Sequence, residues 1–140
     1  MTNTTRSWIE GCEVLRINFR DGLVVDFDEY NQLVISAPLV LTLPAVADYP
    51  VELVTVDPQA VRTEQRPLFD IAGTVCTRAF WDEDGDLHLE FSDGHQIDVR
   101  HRDTATSWEL YGKYHGYVAC LARGRVQEVR HDLPADEDSG

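Results

Sequence analysis

Residues 87–99, LHLEFSDGHQIDV, decide how this chain folds. Leu87, Leu89 and Phe91 alternate with His88 and Glu90, and Ile97 and Val99 alternate with Gln96 and Asp98, the period-2 signature of two half-buried strands. Asp93-Gly94 supplies the turn between them. Residues 23–35, LVVDFDEYNQLVI, repeat those apolar positions one for one, with Leu23, Val25 and Phe27 followed by Leu33 and Ile35. Further upstream, Gly11 and Phe19 are matched by Gly73 and Trp81. The offset between copies grows from 62 to 64 because the turn DEDGD at 82–86 carries two extra residues. The sequence thus reads as a mainly β (β-rich α+β) domain of two repeated antiparallel meanders, about 11–56 and 73–129. They are expected to pack as a sandwich or barrel with one or two short helices.

Working outward, residues 1–7 read as a flexible N-terminus, 8–131 as one domain and 132–140 as an acidic disordered tail. Leu15, Ile17 and Phe19 predict an inward strand face. A three-residue loop, Arg20-Asp21-Gly22, would pair Phe19 with Leu23, Ile17 with Val25 and Leu15 with Phe27, whereas a two-residue turn would set apolar side chains against polar ones. Pro38 and Pro44 bracket residues 39–43, so at most an edge strand is expected there. Asp57-Pro58 predicts a short helix to about Gln65, and residues 103–110, DTATSWEL, one or two helical turns. A last hairpin turns at Arg123-Gly124.

Composition excludes several classes. A chain of 140 residues can bury a core without disulfides or metal. No apolar run reaches the roughly 20 residues of a membrane helix, and the opening MTNTTRSWIEG has no apolar signal segment. No membrane association and a cytoplasmic location are the expectation. Cys12, Cys76 and Cys120 form no CxxC pair and read as buried thiols. The net charge of -13 repels phosphate backbones and argues against nucleic acid, while favouring a basic protein partner. The same charge would also serve for solubility alone.

Three groups of residues are candidates for a site. Asp82, Glu83, Asp84 and Asp86 lack the register of a calcium loop and read as a solvated turn that is also the best patch for a basic partner. His88 and Glu90 share one outward strand face and Asp98 and Arg100 the next, giving a polar cross-strand cluster. Tyr111 and Tyr114, with Trp108 and Tyr117, are set between Gly112 and Gly116, either as an exposed binding loop or as a ring around a core tryptophan. No HExxH, GxSxG, Walker loop or PCxxC occurs, and no catalytic residue, metal ligand or cofactor is expected.

The spacing Gly11-x-x-Val14, the motif LHLEFSDGHQIDV and the run Trp108-Glu109-Leu110-Tyr111-Gly112 resemble the DUF6188-like family of small actinobacterial proteins of unknown function, over most of residues 8–130. The resemblance implies a small cytosolic protein with no established activity and no catalytic residues to carry over. From the residues themselves the first expectation is a non-enzymatic acidic protein-binding module, of the immunity or regulatory type, for a basic partner. The alternatives are a small-molecule binder or enzyme with a pocket between the meanders, and a structural homodimer pairing sheet edges, so that the chain is a monomer or a homodimer.

Overall fold

The computed structural model describes residues 4–60 and 63–130. Its strands, in chain order, are β1 (Thr4–Arg6), β2 (Val14–Phe19), β3 (Leu23–Phe27), β4 (Asn31–Ile35), β5 (Leu39–Leu43), β6 (Glu52–Val56), β7 (Cys76–Asp82), β8 (Leu87–Phe91), β9 (Gln96–Val99), β10 (Trp108–Gly112), β11 (Gly116–Cys120) and β12 (Val126–Arg130). They form two six-stranded antiparallel sheets, ordered β1-β7-β8-β9-β5-β6 and β12-β11-β10-β4-β3-β2. Both sheets are open, so the barrel alternative falls. Alternation explains the burial: Leu23, Val25, Leu33, Ile35, Leu89, Ile97, Val99, Trp108 and Leu110 are all removed from solvent into one core shared by the two sheets.

The two meanders have corresponding registers. Leu23 pairs with Ile35 and Val25 with Leu33, as Leu87 pairs with Val99 and Leu89 with Ile97. Where β2 and β7 begin, the segments preceding them exchange reciprocal bonds: Gly11 N donates to Cys76 O and Gly73 N to Val14 O, both at 2.7 Å. Each meander then sends its next strand to the opposite sheet. β5 leaves β4 and pairs with β9, and β10 leaves β9 and pairs with β4. Neither sheet is complete without strands from both halves of the chain.

Several expectations are corrected. Leu15 does not point inward. The Phe19–Leu23 and Ile17–Val25 pairs form as expected, but a bulge between Val14 and Arg16 puts Val14 opposite Phe27 and leaves Leu15 54% exposed. One extra residue reverses the faces beyond it. β5 is interior, between β9 and β6, because Pro38 and Pro44 lie just outside it and all of its N–H groups remain available. Trp108 and Leu110 belong to a strand flanked by β4 and β11, with Glu109 and Tyr111 facing outward, so tertiary pairing overrides the capping signals.

The helix expected to run to Gln65 starts later. Asp57 Oδ1 accepts from Gln59 N at 3.0 Å to make a local turn, and a 3-10 segment spans Thr63–Ile71, with Leu68 and Ile71 buried. A second short 3-10 turn, Ala122–Gly124, precedes β12. Thr4–Arg6, expected to be loose, pairs with β7. Residues 1–3 of the N-terminus, residues 61–62 of the expected helix, and His131 with the tail 132–140 lie outside the described residues. Among those described, no helix is long and apolar enough to cross a membrane.

Candidate functional site

The richest polar constellation stands on the outer face of the sheet that contains β7, β8 and β9. Cross-strand register sets His88 directly opposite both Phe80 and Asp98, with Glu90 two residues along the same strand. His88 Nδ1 lies 2.5 Å from Asp98 Oδ1, and Nε2 lies 2.8 Å from Glu90 Oε2. The Phe80 ring tilts over the imidazole at 5.1 Å, and the Arg78 guanidinium lies over the Phe80 ring at 5.1 Å while reaching Glu90 at 3.7 Å.

Partial burial alone would lower the His88 pKa. The hydrogen bonds to Asp98 and Glu90 outweigh it and raise the value above 6.5. A carboxylate at each ring nitrogen favours the imidazolium, which in that form donates at both ends. The protonated ring has no lone pair for a metal and none for accepting a proton. Of the four residues grouped from the sequence, three are therefore in contact. Arg100 sits just past β9 beside Asp98, and both line two adjoining clefts of about 410 and 300 Å³.

The acidic turn is built into the fold. Asp82 Oδ1 accepts from Asp84 N at 2.9 Å and Asp86 N at 3.0 Å. Asp86 Oδ1 accepts from His101, at both the backbone N (2.9 Å) and Nδ1 (2.8 Å). The carbonyl of Gly85 accepts from Trp108 Nε1 at 2.8 Å. Two of the four candidate carboxylates thus close the turn and tie it to the β9–β10 connection; Glu83 and Asp84 remain exposed. Among the described residues no group of three His, Cys, Asp or Glu side chains is placed to hold a metal ion.

The tyrosines are not a loose loop. Tyr111 stands on the outer face of β10 opposite Tyr117, whose hydroxyl donates to Glu109 at 2.6 Å. Burial and that carboxylate push Tyr117 up to about 12. Tyr114 meets Tyr30 edge-on at 6.0 Å, with Lys113 Nζ over both rings at 4.9 Å for Tyr30 and 5.7 Å for Tyr114. Trp108 is wholly buried and contacts Trp81 at 5.5 Å. Its end of β10 touches the acidic turn, whereas Tyr111 and Tyr114 lie at the other end, a strand length of on the order of 13 Å away. The two patches do not form one surface.

One surface went unread in the sequence. On the β5–β6 hairpin Val46, Tyr49, Val51 and Leu53 are exposed, Tyr49 by 77% and Leu53 by 66%, beside the exposed Asp48 and Glu52. β6 is also a sheet edge. The signal was present: with Val54 and Val56 on the core side, Leu53 is an apolar residue where alternation calls for a polar one.

Residues 5–130 match the model of DUF6188, a family of unknown function, and the chain belongs to that family. No curated protein and no solved structure matches it.

Proposed function

We propose that this member of the DUF6188 family is a non-enzymatic acidic protein-binding module, of the immunity or regulatory type, that holds a basic partner on the outer face of the β5–β6 hairpin. The observation that carries the reading is the cluster of exposed Val46, Tyr49, Val51 and Leu53 set among Asp48 and Glu52 on a chain of net charge -13. Apolar anchors ringed by charge of one sign suit a partner with complementary charge. The commitment of both His88 nitrogens, and of Asp82 and Asp86, to internal bonds weighs against acid–base chemistry at those groups. Three free, buried cysteines accord with a reducing, cytoplasmic setting, and the corresponding registers of the meanders accord with an internal repeat.

The test is a pull-down from native lysate with the tagged full chain and with a Tyr49→Ser/Leu53→Ser variant, washed at low and then high salt and read by quantitative mass spectrometry. The expected result is a stoichiometric basic protein on the wild-type chain, released by salt and depleted at least tenfold on the variant. Equal recovery on both chains, or no stoichiometric partner at low salt, overturns the reading.

A further inference from the structure

We propose that the cleft between the two sheet-to-sheet connections is a binding site for a small monocarboxylate with a short acyl or aryl body, held by Arg100 and Arg102 over an apolar floor of Pro38, Leu39 and Val40. It lies at the Val56 end of β6, beside Thr55, and does not depend on the protein-binding reading of the opposite end.

The argument starts from chain length. The connection from β4 to β5 is three residues, 36–38, and that from β9 to β10 is eight, 100–107. The two are strapped together, since Ser36 N and Ala37 N both donate to Ser107 O at 2.9 and 3.1 Å. The longer connection carries Arg100-His101-Arg102, and it is fixed. His101 is bound by Asp86 through backbone and ring, Arg102 N donates to Ser107 Oγ at 2.8 Å, and Arg102 O accepts from Arg123 N at 2.9 Å. The Arg102 side chain donates to Thr106 O.

Against this fixed backbone the Arg100 guanidinium has no hydrogen bond or ion pair among the described residues, in a chain where 25 carboxylates face 12 lysines and arginines. The carboxylate nearest in sequence on its face, Asp98, is already committed to His88. Two arginines therefore border a cleft of about 300 Å³, which Asp98 and His101 also line, and neither arginine is ion-paired among the described residues. That volume is at the small end for ligand sites, and guanidinium groups bind carboxylates bidentately. The acidity of the whole molecule disfavours multiply charged anions, so a single carboxylate with an apolar body is the class that fits.

The experiment is an amide NMR titration of the full-length protein with hexanoate, with hexylammonium and inorganic phosphate as comparison probes. Saturable shifts at Val40, Thr55, Arg100 and Arg102 are expected with hexanoate, and shifts at least fivefold smaller at equal concentration with the other two. Arg100→Gln should weaken hexanoate binding at least fivefold. Val40→Phe, which fills the floor without removing a charge, should do the same. Equal response to phosphate overturns the carboxylate class, and equal response to hexylammonium overturns the role of the arginines. No saturable shift, or unchanged binding in both variants with native spectra elsewhere, overturns the site.

Discussion

Replacing Gly85 by alanine isolates how tightly the acidic turn is built into the sandwich. Gly85 has φ of +87°, and Gly11 has φ of +90°, so an added Cβ meets nearly the same backbone strain at both, about 1–2 kcal/mol. Their surroundings differ. At Gly11 nothing lies within 4 Å of the Cβ position, whereas at Gly85 it falls 2.6 Å from Gly124 O and 2.7 Å from Cys120 Sγ. One clash is with backbone and the other with a buried side chain, and overpacking of this kind adds about 1–3 kcal/mol. Gly11→Ala should therefore cost about 1–2 kcal/mol and Gly85→Ala about 2–5 kcal/mol. Urea unfolding followed by tryptophan fluorescence measures both, since Trp108 donates directly to Gly85 O. Losses equal to within about 0.5 kcal/mol, on the scale of ordinary surface changes, would refute the claim that the turn is packed against the Ala122–Gly124 segment. They would also restore residues 82–86 as a free surface for a partner.

Two further outcomes follow from titration. Because the folded pKa of His88 is raised above 6.5, its ion cluster contributes fully to stability below that value, and the contribution is lost as pH rises through the folded pKa. The urea midpoint of the wild type should fall relative to that of His88→Gln as pH rises from 6.5 into the alkaline range; parallel curves would show that Asp98 and Glu90 do not hold the proton. The three thiols should resist a disulfide reagent at pH 8 in the native state and react fully in urea. Burial raises Cys12 to about 11 and Cys76 to about 12, and also raises Cys120, keeping all three protonated. Fast native reaction of even one thiol would contradict that packing.

Local periodicity carried a large part of this structure. The alternation in residues 23–35 and 87–99 determined the strands and their core faces, because a side-chain period of two leaves one choice of face once an apolar row must be buried. The His88, Glu90 and Asp98 cluster was legible for the same reason: hairpin register makes outward residues neighbours. Periodicity says nothing about which strand lies beyond the hairpin, since backbone N–H and C=O groups are alike in every strand. Only the tertiary structure decided that β5 and β10 change sheets, that Trp108 stands in a strand, and that Leu15 is extruded at a bulge. The same crossing joined Asp86 to His101, set Arg100 beside a cleft, and put Leu53 on an edge. Those contacts join residues far apart in the chain, and they form only when both halves bury one core together.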